Sequence, residues 1–392
     1  MKKLLTRLVS LLSFANMHRV KWLHVSLVFL LTLGLAMPAM AQVLYNSEEP
    51  GSVIVFPKFI NGTFFGQPNS FFEISVVCPV RNADGSCALI EGSVVKLRAH
   101  WVCPGEQSVQ DKFICRETDF DLFTTVFGTL VFSPSNVNIG PTPAFPTAPL
   151  ARTPGGIVRV PAPPCREGYL IAWVVDTNDR PINFNALIGN AVIRDVNGAQ
   201  SAYNGIPIQA VGATVNPPAL IATGGALLPF VGLPGTYAAV TGVIQSSVRF
   251  DAGLVPGPAV QTELTLLTLD VRSNQPNFPT FVPLDFYNAN EAPLSTFLEF
   301  VCWTEVALSN VNGAVDFIDP NLTGVNMQTL KGLVTSGPAN KIPFIGIADT
   351  PGPVTLLGIV RTSLVDGTGA SSYSYSLYND SRPVPTLFAP TR

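Results

Sequence analysis

From residue 51 onward the chain is a series of short apolar runs separated by turn residues. "GSVIVFPKF", "FFEISVVC", "SVVKLRAHWVC", "DFDLFTTVFGTLVF" and "YLIAWVVD" open the series. "TELTLLTLDV", "TFVPLDFYN", "FLEFVCWTEVAL", "PVTLLGIVRT" and "SYSYSLY" continue it. Runs of Val, Ile, Thr, Phe and Leu bounded by Gly, Pro, Asn and Asp predict β-strands. "VKLRAHW" alternates strictly: Lys96, Arg98 and His100 share one face, and Leu97, Ala99 and Trp101 take the other. The best helix candidate, "GVNMQTLKGLV", is short and lacks convincing caps. The expected fold is all-β: two tandem antiparallel β-sandwich (Ig-like) domains with long loops.

The pattern suggests boundaries. Residues 42–195 are read as the first sandwich, with a Pro-rich excursion at 134–164 that cannot sit inside a ladder. Residues 262–392 are read as the second. Between them, 196–261 is a Gly/Pro/Ala-rich connector, uncharged from Val196 to Val248. A weak internal repeat links the halves. "FFEISVVCPVRN", "VKLRAHWVCPGEQS" and "ETDFDLFTTV" run parallel to "TLLTLDVRSNQP", "VPLDFYNANEAPLS" and "TFLEFVCWTEV". Shared strand grammar is the competing explanation of that repeat.

Residues 1–41 read as an export signal: five basic residues, no acid, the apolar core "LHVSLVFLLTLGLAM", and Ala39-Met40-Ala41 at the cleavage point. Met17 is an alternative start, and a retained anchor is the alternative fate. Without the leader, 351 residues remain with 18 basic and 26 acidic side chains. A net charge near −8 argues against nucleic acid and against a polybasic membrane surface. The expected location is outside the cytoplasm: periplasm, cell surface or medium.

All six cysteines follow the leader, which favours disulfides. Proximity suggests Cys78–Cys87 around the turn "PVRNADGS" and Cys103–Cys115 around "PGEQSVQDKFI". Cys165 and Cys302 then pair by elimination, with a free buried Cys302 as the alternative.

"GSVIVFPKF", "VKLRAHWVCPG", "GYLIAWVVD" and "LDVRSNQPNFPTFVPLDFYN" resemble phrases in uncharacterised exported bacterial β-rich proteins. The resemblance implies an exported β protein and no activity.

Residues 219–244 are long enough to span a membrane. Pro229, Pro234 and four nearby glycines, with no flanking basic cluster, argue against a span. Two readings of the segment remain. It packs against the sandwiches, or it exposes Leu227, Leu228, Phe230, Val231 and Leu233 as an interface for another subunit or envelope protein. Open strand edges offer a second docking mode.

Candidate chemistry is sparse. His100 is the only histidine after the leader and is expected to be an exposed structural residue. Neither G-x-S-x-G nor a P-loop occurs. In "ETDFD", Glu117, Asp119 and Asp121 share a strand face. They are a candidate Ca²⁺ site, with a solvated face as the plain alternative; no other cofactor is indicated. These observations predict a structural or adhesive envelope or surface protein that acts through interfaces and without catalysis. The alternative is a carbohydrate-binding module or carboxylate-based glycan hydrolase. An exposed aromatic platform beside two convergent carboxylates would favour the alternative, and burial of Trp101, Trp173 and Trp303 would disfavour it.

Overall fold

The computed structural model describes residues 42–392 except 63–67, 90–92, 106–110, 135–149, 154–155, 195–199, 216, 223–226, 251–259, 288–292, 312–329, 365–370, 376–382, 385 and 390–392. The leader, most of the Pro-rich excursion and the first six residues of the helix candidate lie outside the described residues. Gln42 to Arg392 form one compact unit.

The first half contributes β1 (Val53–Ile60), β2 (Asn69–Val76), β3 (Val94–Cys103), β4 (Arg116–Thr125), β5 (Thr129–Phe132), β6 (Leu150–Thr153), β7 (Gly156–Arg159), β8 (Glu167–Val175), β9 (Leu187–Arg194), β10 (Gln200–Asn204) and β11 (Ile206–Ile208). The second half contributes β12 (Leu228–Phe230), β13 (Val240–Thr241), β14 (Gln245–Phe250), β15 (Val260–Leu267), β16 (Thr280–Tyr287), β17 (Pro293–Phe300), β18 (Trp303–Ala307), β19 (Leu330–Ser336), β20 (Asn340–Lys341), β21 (Gly352–Pro353), β22 (Leu357–Leu364), β23 (Ser371–Tyr375), β24 (Pro383–Val384) and β25 (Thr386–Phe388). The all-β expectation holds. The end of the helix candidate is part of β19, where the ladder with β14 and β16 overrides a weak helical period.

Two sandwiches form. In the first, the sheet β11-β1-β8-β3-β4 packs on β10-β9-β2-β5. Ile54, Phe56, Phe72, Leu97, Trp101 and Leu170 fill the space between. In the second, β14-β19-β16-β20-β21, with β17 beside β16, packs on β18-β15-β22-β23. Its core includes Leu264, Leu266, Val282, Leu284 and Phe286. One strand order recurs. β1-β8-β3-β4 corresponds to β14-β19-β16-β17, and β5-β2-β9-β10 corresponds to β18-β15-β22-β23. This order departs from the immunoglobulin arrangement. There the first strand neighbours the second, whereas β1 lies beside β8 and β9 lies beside β2.

A third core joins the sandwiches. Val53, Val55, Tyr169, Ile171 and Trp173 on the outer face of the first meet Leu267, Leu269, Trp303 and Leu357 of the second. The sheet containing β1 and β8 is therefore buried on both faces. That is why β1, VIVFPKFI, is buried at every position.

The segment read as a connector is structural. Its residues 200–208 form β10 and β11 of the first sandwich, and 245–250 form β14 of the second. Between these, β12 pairs with β25 near the C-terminus, so Leu228 and Phe230 are fully buried. Val231 and Leu233 are half-buried, and Leu227 is exposed. Of the five residues expected as an interface, Leu228 and Phe230 belong to the core between the sandwiches, while Leu227, Val231 and Leu233 keep contact with solvent.

The disulfides are Cys78–Cys87, Cys103–Cys165 and Cys115–Cys302. The first matches the expected pairing and the other two correct it. Cys103 and Cys115 lie near one another along the β3–β4 hairpin, but they face opposite sides of the sheet. Cys103 belongs to the core inside the first sandwich and Cys115 to the core between sandwiches. A sequence-local bridge is blocked by this alternation of side chains.

Candidate functional site

The polar face of the β3–β4 hairpin gathers most of the residues singled out from the sequence. The ladder sets Arg98 opposite Asp121, His100 opposite Asp119 and Val102 opposite Glu117. Glu117, Asp119 and Asp121 share a face, as the alternation requires. Each meets a basic side chain rather than space for an ion. Arg98 binds Asp119 at 3.0 Å and Asp121 at 3.1 Å, and Lys96 binds Asp121 at 3.0 Å. Asp179, from the turn after β8, also contacts Lys96 and lies 3.3 Å from Arg98. These bonds hold the Asp179 carboxyl below its ordinary value, Lys96 hydrogen bonding being the largest cause. Among the described residues no group of three or more His, Cys, Asp or Glu side chains is placed to hold a metal.

The same face changes character along its length. At one end it is open to solvent. At the other Phe388 of β25 lies against the His100 ring, and His100 and Glu117 are sealed inside, with side chains 1% and 0% exposed. The expectation of an exposed His100 fails because the alternating polar face continues beneath a second layer. His100 Nδ1 lies 3.0 Å from Glu117 Oε1, and its ring stacks on Trp173 at 4.6 Å. A histidine oriented by a carboxylate is half of a catalytic constellation. Here both members of the pair are buried. Burial drives the nearby Tyr169 hydroxyl well above its usual range, and the Glu117 charge adds to the effect.

Another polar contact, unlike that of His100 with Glu117, joins the two sandwiches. Lys58 of β1 pairs with Glu305 of β18 at 2.5 Å, and Thr265 donates to the same carboxylate. Trp303 Nε1 donates to the Pro57 carbonyl. Burial raises the Glu167 carboxyl, opposed by the Lys58 charge.

No family model matches the chain, and no curated protein matches it. Among solved structures, the chain is weakly similar to the Pleurotus ostreatus lectin in its apo form. Identity is 9%, with 86% of this chain and 85% of that chain covered, at a TM-score of 0.10.

The tryptophans are core residues. Trp101 is 0% exposed, Trp173 3% and Trp303 7%. None offers a flat face to a sugar. One exposed aromatic pair lies elsewhere, on the outer face of the second sandwich. Phe281 of β16 and Phe297 of β17 stack at 4.9 Å, and Phe297 is 58% exposed. Asp285 and Glu299 share that face, but Glu299 sits opposite Phe281, four positions along β16 from Asp285. At about 3.3 Å per residue their backbone positions are ~13 Å apart along the strand.

Two clefts open on the first sandwich. A polar one of about 320 Å³ is lined by Glu48, Glu49, Glu73, Asn190 and Asn204. An apolar one of about 560 Å³ lies at the far end of the β3–β4 hairpin, between Val94, Phe123, Val126, Ile182 and Phe184. The strand pattern did not single out these surfaces. The Phe281–Phe297 pair had a signal, since Phe281, Pro283, Asp285 and Tyr287 alternate with core residues.

Proposed function

We propose that the protein is an exported structural or adhesive component of the cell envelope or surface, working through interfaces and without catalysis. The observation that carries this reading is the open edge of β17. Among the described residues β17 pairs only with β16, and seven of its eight residues are exposed or half-buried. A strand with one edge unpaired among the described residues, and with Phe297 and Leu298 along it, is a template for strand addition. Three disulfides suit an oxidising compartment. No helix among the described residues is long and apolar enough to cross a membrane. The same reading takes the recurring strand order as the mark of a duplicated unit.

Light scattering across a concentration series tests the proposal. Association that Phe297→Lys abolishes, with folding intact, supports it. A monomer at every concentration that is also not retained at the cell surface overturns it. The polar cleft supports a second reading, a carbohydrate-binding site in which Glu73, Asn190 and Asn204 bond sugar hydroxyls. Glycan-array binding lost in Asn190→Ala would favour that reading.

A further inference from the structure

The most exposed large apolar side chain among the described residues is Ile345, at 97%. It does not stand alone. Ile342, Pro343, Phe344, Ile345 and Gly346 are five consecutive exposed residues without a charge. A run of that length on a water-facing surface is unfavourable unless it serves a function.

The tip is held out on a braced base. Lys341, at its root, is buried and bonds Asp349 at 2.6 Å and Asp270 at 3.3 Å. Asp349 accepts from the Phe278 amide, Ile342 N–H bonds the Pro279 carbonyl, and Arg272 donates to the Ala348 carbonyl. Gly346, at φ +87°, turns the chain back. The apolar side chains therefore project from a fixed loop. Phe344 packs on Phe113 at 4.6 Å, and exposed Lys112 holds its ammonium 4.7 Å from the Phe113 ring and 5.9 Å from the Phe344 ring. The described carboxylates beside Lys112 and the tip in sequence are paired: Asp111 with Arg116 and Asp349 with Lys341.

We propose that the 342–346 tip inserts into the surface of a lipid bilayer, with Lys112 beside it facing anionic headgroups. Two arguments select this occupant. The first is charge: an apolar tip with an ammonium beside it, and with the described Asp111 and Asp349 already paired, matches the boundary between acyl chains and acidic headgroups. The second is area. A stable contact between two copies needs about 800 Å² from each partner. A convex tip of three large apolar side chains offers much less, yet a fluid hydrocarbon layer accepts it without a matching surface. The proposal rests on the envelope reading only in requiring a membrane within reach.

Co-sedimentation of the exported protein with vesicles of phosphatidylethanolamine and phosphatidylglycerol tests the proposal. The expected result is reversible binding, weakened about tenfold or more by Ile345→Asp, since that side chain contributes apolar burial and makes few contacts within the protein. Lys112→Ala should weaken binding about fivefold, and only when phosphatidylglycerol is present. Absence of vesicle binding, or binding indifferent to Ile345→Asp, overturns the proposal. Self-association in lipid-free buffer that Ile345→Asp abolishes also overturns it, by assigning the tip to a second copy. Phe297→Lys keeps the two readings apart. It should leave vesicle binding intact, and its effect on association bears on the β17 edge alone.

Discussion

His100 and Glu117 approach to 3.0 Å in the core between the two sandwiches, under the Trp173 ring. Neither side chain has meaningful contact with water. Removing one member leaves buried polar atoms of the other without their neighbour, which costs about 1–3 kcal/mol. Glu117→Ala is expected to destabilise the protein by that order in denaturant unfolding. Replacing both, as His100→Phe with Glu117→Leu, should recover much of the loss. A double variant as unstable as the sum of the singles would contradict this account.

The Cys115–Cys302 bridge spans 187 residues of sequence and ties the first sandwich to the second. Chain entropy gives a bridge of that span about 5 kcal/mol of stabilisation. Cys115→Ser with Cys302→Ser is expected to lower stability by several kcal/mol and to uncouple the unfolding of the two sandwiches. Peptide mapping without reductant should recover 103–165 and 115–302 linkages. Finding 103–115 instead would contradict the opposed facing of those two cysteines.

The hairpin shows how far the sequence could be read. The alternation of Lys96, Arg98 and His100 against Leu97, Ala99 and Trp101 placed every side chain on its correct face of β3. It did not reveal what covers each face, because residues far along the chain, such as Phe388 against His100, decide that. His100 is buried for this reason. The uninterrupted runs VIVFPKF and YLIAWVV do carry the signal of a sheet buried on both faces. The cysteine pairing failed where proximity along the chain competed with strand alternation and the alternation won. The segment 219–244 was ambiguous because its partners are distant: β12 pairs with β25, some 160 residues on. The phrases compared between the halves fall on β2 and β15, on β3 and β16, and on β4 and β17, and shared strand grammar accounts for them as well as a repeat does.

Burial of Leu228 and Phe230 beside exposed Leu227 gives the 219–244 segment a sharp test. Phe230→Ala should cost about 3–5 kcal/mol, as expected for emptying a well-packed core position. Leu227→Asp should fall within about 0.5 kcal/mol of the parent protein. Thermal unfolding of the two variants separates a core segment from a docking patch. Equal tolerance of both would return the segment to the surface.

The Lys341 cluster makes opposite predictions for two carboxylates that share one ammonium. Burial tends to raise the Asp349 carboxyl, but the Lys341 bond, the Phe278 amide and the Lys341 charge outweigh it, and the net shift is downward. A depressed carboxyl stabilises the fold above its unfolded value of about 4 and loses that contribution as pH falls through the lower folded value. Asp270 is shifted upward, chiefly by burial, with the Lys341 charge opposing. A raised carboxyl favours the fold most when protonated, and that contribution disappears as pH rises from about 4 through the higher folded value. Asp349→Asn should therefore flatten the loss of stability on acidification below about pH 4. Asp270→Asn should remove a decline in stability on the alkaline side of that point. Urea titrations from about pH 3 to pH 7 measure both slopes. Slopes that move in the same direction in the two variants would show that the ammonium does not divide its favour between them as the geometry requires.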